Sequence, residues 1–359
     1  ALADALHRLL GDSGLCRVLG RNAVEDIKRF SVDETVRATE RIYEEVLSRQ
    51  PRLGTVRRSA AVVHAAWRKN QQDVRGLARG GYPPFVFSGR REVLDGEIPV
   101  FVFHRVEAAR FAPQLQYLQA NGYHALPSAD DFYDCLTGRR PVPEKGVLLT
   151  FDDGLSSLYD VAFPLLRKYR MRAVSFVVPA FVGKPGFCTW EQLRELHDSG
   201  LVDIQSHTLC HRYAPRWPRP VPCLGGTWGS EMLTAQFPTM QEDYRRAREL
   251  LEERLQKPIR HLCYPNYDGT HASIQASKDA GYISNFWGVI HGRRVNRPGS
   301  DPFRIVRVLE DYLWCLPGEG RLSSWRVMRG RISRYGPGLV SRAKGSQAAS
   351  PGRLFDAAV

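Results

Sequence analysis

Short apolar runs alternate with amphipathic segments through the middle of this chain, and this alternation constrains the fold more than any other feature. The apolar runs have the length and composition of buried strands: IPVFVFH, GVLLTFD, RAVSFVV, LVDIQSH, HLCYP and FRIVRV. Helical periodicity marks several of the segments between them: APQLQYLQANGY, YDVAFPLLRKYR, WEQLRELHDSG and MQEDYRRARELLEERLQ. Repeated strand-then-helix order predicts a parallel sheet with helices outside it, either open or closed as a barrel.

The segments on either side of this region have a different composition. Residues 1–50 have the pattern of two or three successive helices with no strand between them. Residues 51–97 predict a helix followed by a Gly/Pro-rich linker. We therefore expect an N-terminal helical appendage, one large α/β domain over residues 98–315, and a basic, disordered tail over residues 316–359.

The net charge of +13 suggests an anionic partner, such as phosphate, nucleic acid or an acidic membrane surface. The alternative explanation for the positive charge is an arginine-rich proteome. The arginines favour this alternative to the extent that they are scattered along the sequence and do not form one stripe. The sequence contains no helix-turn-helix, zinc-finger or ribonucleoprotein motif, so we predict no nucleic-acid partner. The basic tail, RLSSWRVMRGRISRYGPGLVSRAKGS, suits peripheral contact with anionic lipid headgroups, and a solvated arginine-rich end is the alternative.

The cysteines bear on the compartment. There are seven, an odd number with no CxxC pair, which argues against a disulfide framework and favours a reducing compartment. No run approaches the roughly 18 apolar residues of a membrane span, and the first 20 residues lack a secretion signal. The chain starts without methionine, so an extracytoplasmic location applies instead if a signal has been removed.

Two adjacent carboxylates, Asp152 and Asp153, stand at the end of one strand candidate, in LLTFDDG. Adjacent carboxylates repel each other, so the presence of both at this position requires an explanation. If one binds a metal ion while the other acts as a base, the cation offsets the repulsion. The alternative is an Asp-rich turn, in which Asp153 caps the next helix and Gly154 permits the turn.

A pair of histidines, His207 and His211, follows another strand candidate in the motif SHTLCH. At a spacing of four, both imidazoles face one side if a helical turn begins there. Two histidines and a carboxylate are a common ligand set for a catalytic zinc ion. Such a pair arises by chance, but its combination with the aspartates at another strand end predicts a metal site.

Three motifs in this order, TFDDG, SHTLCH and CYPNYDG, resemble those of the NodB-homology polysaccharide deacetylases, carbohydrate esterase family four. The similarity runs from about residue 98 to residue 308. The segments VFVFHRV and DPFRIVRV resemble the poly-N-acetylglucosamine deacetylase subgroup. The resemblance implies a distorted (β/α) barrel, in agreement with the alternation of strands and helices.

The resemblance also implies roles for particular residues. Asp153, His207 and His211 correspond to the metal ligands, with zinc as the expected ion and other divalent metals compatible. Asp152 corresponds to the general base that deprotonates the attacking water. His104 corresponds to the general acid that protonates the departing amine.

His104 ends the apolar run IPVFVFH, where a histidine is often an ordinary core residue. Its place at a strand end on the same face as Asp152 favours the catalytic role. The next candidate for the acid is His291, in GVIHGRR.

The motif CYPNYDG implies a substrate-binding turn. After Pro265, the backbone N–H of Asn266 is expected to face the oxyanion. Tyr264 and Tyr267 are expected to form a wall for the sugar.

One family feature is missing from this motif. Most members carry an arginine two residues before the proline, and this chain has Cys263 there. Asp301 and Arg307, in DPFRIVR, are the candidates for orienting the base instead. The alternative for both is an ordinary surface pair.

Residues 1–49 resemble the last helices of a GT-B glycosyltransferase, through LGRNA, RFSVDETV and YEEVL. This resemblance implies a glycosyltransferase domain in a longer chain; a private helical cap on the barrel is the alternative. With the unpaired cysteines, it implies a cytoplasmic protein at the inner membrane face, acting on a lipid-linked or growing N-acetylated glycan.

The sequence therefore predicts metal-dependent removal of acetate from an N-acetylglucosamine-type poly- or oligosaccharide. A catalytically silent glycan-binding barrel is the alternative. Such a barrel needs no metal ligands. The motifs contain Asp152, Asp153, His207 and His211, and the presence of this whole set argues against the silent barrel.

Overall fold

A curled parallel sheet lies at the centre of the computed structural model, which describes residues 81–87, 96–211, 214, 239–290 and 292–334. Its strands in these residues are β1 (Val100–Phe103), β2 (His124–Ala125), β3 (Gly146–Asp153), β4 (Ala173–Val177), β5 (Val202–Ser206), β6 (His261–Cys263), β7 (Ser284–Phe286) and β8 (Val308–Leu309). The order across the sheet is β7-β6-β5-β4-β3-β1-β8, and β2 pairs with β3. Every strand pair is parallel.

The segment from Ile305 to Leu309 connects the two ends of the sheet. Ile305 forms an isolated parallel bridge with Phe286 of β7, and Val308 pairs with Phe101 of β1. The sheet therefore curls towards closure, and the predicted distorted (β/α) barrel is confirmed.

Helices connect most of the strands. The described α-helices are α1 (Pro84–Phe87), α2 (Ala108–Ala120), α3 (Ala129–Leu136), α4 (Phe163–Tyr169), α5 (Trp190–Asp198), α6 (Met240–Leu255), α7 (His271–Asp279) and α8 (Ser324–Arg334). Polar caps fix several of their starts: Thr189 begins α5 with a reciprocal capping box to Gln192, and Thr239 caps α6. None of the described helices combines the length and the apolar character needed to cross a bilayer.

Alternate residues of the strands enter two different hydrophobic clusters. Leu148 of β3 and Phe176 of β4 belong to the cluster that also contains Phe132 of α3. Leu149 and Phe151, the neighbours on β3, belong to the larger cluster shared with the surrounding helices. Burial on both faces explains why these strands are continuous apolar runs in the sequence.

Several elements were not predicted. The β2 and β7 strands are two and three residues long, with the sequences HA and SNF, too short and polar for an apolar run. The segment predicted as one helix, YDVAFPLLRKYR, contains a π-helical turn at Leu158–Ala162 before α4 begins at Phe163. The proline at position 164 stands in the first turn of α4, directly after the π-helical turn.

Two described helices lie outside the predicted bounds of the α/β domain. Helix α1 lies in the predicted linker, and its Phe85 and Val86 are buried in the main core. Helix α8 lies in the predicted disordered tail, and Val327 and Met328 bury its apolar side. The predicted helices over residues 1–50, most of the linker region, and residues 335–359 lie outside the described residues.

Candidate active site

The end of β3 turns its two adjacent aspartates in different directions. Asp152 continues the strand and is buried, whereas Asp153 has a φ of 72° and Gly154 a φ of 74°. Asp tolerates the left-handed region better than most residues, and glycine occupies it without strain. A β-carbon at residue 154 would also lie 3.2 Å from the Val177 side chain. The turn therefore lets both carboxylates reach the carboxyl end of the sheet.

Asp153 meets the two histidines of SHTLCH at this end of the sheet. Its Oδ1 lies 3.5 Å from Nε2 of His207 and 3.5 Å from Nε2 of His211. One ligand atom from each of the three residues lies within 4.8 Å of the others. The spacing fits one metal ion held by two imidazoles and a carboxylate.

The histidines converge without the helical turn that the sequence left open. Residues 207–211 are not helical, and both Thr208 and His211 have left-handed φ values, 64° and 56°. His207 directly follows β5, and the bend brings His211 back beside it, with ring centroids 5.0 Å apart. The helical turn that the sequence argument gave as a condition is therefore absent from residues 207–211.

Both histidines are suited to binding a cation in their neutral form. Burial lowers the pKa of His207 to about 4, and burial also lowers the pKa of His211. His207 Nδ1 lies 2.9 Å from the backbone oxygen of Cys263, which can accept a hydrogen bond from it. With the proton on Nδ1, the Nε2 lone pair faces Asp153. These residues fit a divalent cation by donor type, protonation state and spacing.

The loop between the histidines is attached to helix α6. The Leu209 N–H donates to Oδ2 of buried Asp243 at 3.2 Å. Beside His207, the hydroxyl groups of Tyr282 and Ser206 lie 2.9 Å apart. These contacts lie in the interior, where they hold the loop against the sheet.

Asp152 is paired with Arg307. Two hydrogen bonds, Nη1 to Oδ1 at 2.7 Å and Nη2 to Oδ2 at 2.9 Å, join the buried guanidinium to the carboxylate. Burial alone would raise the pKa of Asp152, but the charges of Arg307 and of nearby His207 outweigh it and hold that pKa well below its usual range. Asp152 is therefore ionised throughout the neutral range.

Position 263, where the resemblance led us to expect an arginine, is a cysteine. Arg307 supplies the guanidinium beside Asp152 instead. The Cys263 Sγ lies 2.8 Å from Arg307 Nη2 and 3.6 Å from Asp152 Oδ2, and burial raises the pKa of its thiol. The other candidate, Asp301, is not at this site: it caps a short 3₁₀ turn through the Phe303 N–H, and its side chain is 47% exposed. The predicted role of Asp301 in orienting the base is wrong.

A second group of possible metal ligands overlaps the first. Asp152, His207 and Cys263 also have ligand atoms within 4.8 Å of one another. The Arg307 guanidinium, however, already contacts both the carboxylate and the sulfur. A cation there would face a fixed positive charge, so the arrangement favours the Asp153 set.

His104 lies just after β1, beside Tyr267. The tyrosine hydroxyl is 3.2 Å from His104 Nε2, and the two rings meet edge to face with centroids 5.8 Å apart. Burial raises the pKa of Tyr267 well above its usual value, so its hydroxyl remains protonated. Arg307 Cζ lies 5.7 Å from the centre of the same ring. Tyr267 therefore lies between the predicted acid and the partner of the predicted base.

The CYPNYDG turn matches its predicted role only in part. Tyr264 is fully buried, and its hydroxyl accepts a hydrogen bond from Asn285 at 2.5 Å, so its assignment to a sugar-binding wall is wrong. Pro265 is also buried and begins a 3₁₀ turn. Asn266, in the middle of this turn, is exposed with a φ of 54°. Its predicted N–H contact with an oxyanion stays a prediction.

His291, the next candidate for the general acid, lies outside the described residues.

Asp243 was not predicted from the sequence. Its only signal was an acidic residue in the first turn of the amphipathic segment MQEDYRRARELLEERLQ, and that position is usually explained by the helix dipole.

Comparison with known proteins gives a consistent result. The polysaccharide deacetylase family profile matches residues 139–284. The poly-beta-1,6-N-acetyl-D-glucosamine N-deacetylase of Staphylococcus epidermidis is 26% identical over 62% of this chain and 71% of that protein. The Escherichia coli K12 protein of the same name is 34% identical over 31% of this chain and 19% of its own length. The solved structure of IcaB from Ammonifex degensii is 30% identical, with a TM-score of 0.51, over 62% of this chain and 97% of that one.

A curled α/β sheet with one ion-paired aspartate and an Asp-His-His set at its carboxyl end defines a hydrolase-type site. Together with the matches, it shows that the chain belongs to the polysaccharide deacetylase family, whose members are hydrolases acting on N-acetyl C–N bonds. The matches span 43% of a Bacillus subtilis relative and 19% of the Escherichia coli protein, so the chain covers less than half the length of these relatives.

Proposed function

We propose that this chain hydrolyses the N-acetyl group of N-acetylglucosamine-type units in a poly- or oligosaccharide, releasing acetate and leaving a free amine. The observation that carries the proposal is the convergence of Asp153, His207 and His211 beside the Asp152–Arg307 pair. Next to the Asp152–Arg307 pair, His104 and Tyr267 provide a candidate proton donor. Each group needed for amide hydrolysis thus has a candidate residue in one place.

Asp153, His207 and His211 would hold the divalent cation. Zinc is the proposed ion, because two imidazole nitrogens and one carboxylate are a frequent zinc ligand set; other divalent metals accept the same donors. When bound, such an ion supplies polarisation of the acetamide carbonyl and a lower pKa for water.

Asp152 would act as the general base. Its carboxylate takes a proton from the attacking water as the water oxygen bonds to the acetyl carbon. Arg307 keeps the carboxylate ionised and fixes its plane through two parallel hydrogen bonds. The low pKa of Asp152 makes it a weak base, so the water must be acidified at the same site.

His104 would act as the general acid. As the C–N bond breaks, its imidazolium gives a proton to the departing amine nitrogen, which completes the addition of water across the bond. The Tyr267 hydroxyl, 3.2 Å from Nε2, orients the ring. The backbone N–H of Asn266 is the proposed donor to the oxyanion, a contact of a kind worth about 3 to 4 kcal/mol in other enzymes.

The substrate class rests on the relatives named for poly-beta-1,6-N-acetyl-D-glucosamine. The finer parts of the proposal are a lipid-linked or growing glycan, a glycosyltransferase domain in the same polypeptide, and a position at the inner membrane face. They rest on the sequence of residues 1–49, on the absence of CxxC pairs and on the basic C-terminal segment. Trp325 and Arg326 on α8 are exposed, and an exposed tryptophan beside an arginine supports the proposed contact with anionic headgroups.

Acetate release from a β-1,6-linked N-acetylglucosamine oligomer tests the proposal. We expect release from the protein as purified, loss after chelation, and recovery when zinc is added back. A β-1,4-linked oligomer and peptidoglycan serve as comparison substrates for the linkage. Glycan binding without acetate release in the zinc-loaded protein would establish the silent glycan-binding barrel instead.

A further inference from the structure

A cavity outside the candidate active site is lined by four arginines. It lies on the loop between β7 and β8 and has a volume of about 470 Å³. The arginines are Arg293, Arg294, Arg297 and Arg304. The cavity shares no residue with the proposed catalytic or metal-binding set.

Positive charge in this cavity is poorly balanced. In the part of the chain that the structure describes, the one carboxylate within ion-pair distance of any of the four is Asp301, 3.6 Å from Arg304 Nε. Burial lowers the pKa of Arg293; the charge of Asp301 opposes this effect and the charge of Arg304 adds to it. Four like charges with one carboxylate beside them leave a net positive charge around the cavity, which a bound anion would offset.

The loop backbone is held in place before any ligand binds. Buried Asn296 donates from Nδ2 to the Val306 carbonyl at 2.7 Å and accepts the Val306 N–H at 2.9 Å. The Asn296 carbonyl accepts the N–H of Ile98, next to β1. Two tight turns follow, closed by the N–H groups of Ser300 and Arg304. The arginines therefore extend from an ordered frame, which reduces the entropy lost on binding.

We propose that this cavity binds a phosphoryl group. Guanidinium groups form paired, charge-assisted hydrogen bonds with phosphate oxygens, and several of them around one cavity match the multiple oxygens and charge of a phosphoryl group better than a single carboxylate. The phosphoryl group belongs either to a small soluble molecule or to a lipid headgroup. The site is distinct from the deacetylation chemistry and does not depend on it.

Titration calorimetry of the full chain with inorganic phosphate tests the proposal, with acetate at equal ionic strength as the comparison anion. The Arg293→Gln/Arg304→Gln variant should bind phosphate at least about tenfold more weakly, because it loses two charged donors. The matched control is Arg170→Gln/Arg172→Gln, which removes two exposed arginines beside the amino end of β4. This control should bind like the parent. Since phosphate also coordinates metal ions, the comparison between variants isolates the cavity.

Sedimentation with vesicles separates the two sources of the phosphoryl group. A lipid headgroup is identified if the parent binds phosphatidylglycerol vesicles but not phosphatidylcholine vesicles. This binding must fall in the cavity variant and stay unchanged in the control. Phosphate binding that depends on the cavity, without such vesicle binding, identifies a soluble ligand. The proposal is overturned if the cavity variant binds phosphate and vesicles as well as the parent does. Circular dichroism checks that the variant is correctly folded.

Discussion

Arg307 reaches Asp152 from the opposite end of the domain sequence, 155 residues away, and forms two parallel hydrogen bonds with it. Both side chains are almost completely buried. A buried carboxylate without a counter-charge would be protonated or strongly destabilising. The pair therefore explains how Asp152 can be both buried and ionised in a chain that has Cys263 where the resemblance led us to expect an arginine.

Replacing Arg307 tests this account. With Arg307→Gln the opposing charge is lost, burial dominates, and the pKa of Asp152 should rise above its ordinary value. In the parent, the folded-state pKa is lowered, so the pair stabilises the fold above the unfolded-state pKa and this contribution disappears as the pH falls towards the folded-state pKa. The variant should lose about 3 to 5 kcal/mol of stability at neutral pH, measured by urea unfolding.

The same variant should lose activity at a higher pH than the parent when the pH is lowered. Arg307→Lys keeps the positive charge but cannot form the two parallel hydrogen bonds. The acid limb of its pH–rate profile should therefore lie between those of the parent and Arg307→Gln. Identical acid limbs in the pH–rate profiles of the parent and Arg307→Gln would show that Arg307 does not control the ionisation of Asp152.

The metal ligands are tested by His207→Ala and His211→Ala. Each change removes one nitrogen donor from the set around Asp153, so we expect zinc and acetate release to be lost together. Elemental analysis of the purified proteins measures the zinc. His124→Ala, at an exposed histidine of β2, is the control and should retain both. Zinc at one equivalent in the double variant would contradict the assignment.

Asp152→Asn separates the base from the ligands. The amide retains the size of the side chain but accepts no proton, so turnover should fall by about 10²- to 10⁴-fold while the zinc content stays near that of the parent. Turnover and zinc are measured on the same preparation. A variant that loses zinc together with turnover would mean that Asp152 is a metal ligand and that the roles of Asp152 and Asp153 are exchanged.

His104→Gln should retain metal and glycan binding but lose most turnover, because the leaving amine then lacks a proton donor. Tyr267→Phe removes only the hydroxyl next to His104 Nε2 and should have a smaller effect on turnover. A substrate with a better leaving group should rescue His104→Gln more than Asp152→Asn. Parent-like turnover in His104→Gln would transfer the acid role to another residue, and His291 would be tested next.

The strands that carry the site could be predicted because each is buried on both faces. Leu148 and Leu149 enter different clusters, so β3 is apolar throughout, and its polar end at Asp152 stands out. β7 could not be found in this way, since it has three residues and includes Ser284 and Asn285. Their side chains are satisfied by His261 and Tyr264, contacts between distant parts of the sequence.

The same limit explains the errors at the site. Tyr264 stands next to a turn, where an aromatic residue is easily taken as exposed, but it is fully buried and its hydroxyl is hydrogen-bonded to Asn285. Asp301 and Arg307 belong to one short motif, and only the pairing of Ile305 with Phe286 and of Val308 with Phe101 decides that Arg307 faces inward. The convergence of His207 and His211 was predicted, but the left-handed bend that produces it has no signal in SHTLCH.

The segment that joins both ends of the sheet also carries Arg307, and this has a consequence for synthesis on the ribosome. A nascent chain that has emerged only as far as β7 already contains Asp153, His207 and His211. Its Asp152 still lacks the guanidinium that allows it to be buried as an anion. The proposed ligand set for a cation is therefore synthesised before the guanidinium that keeps the proposed base ionised, and the segment leading into β8, the last of the described strands, supplies that guanidinium.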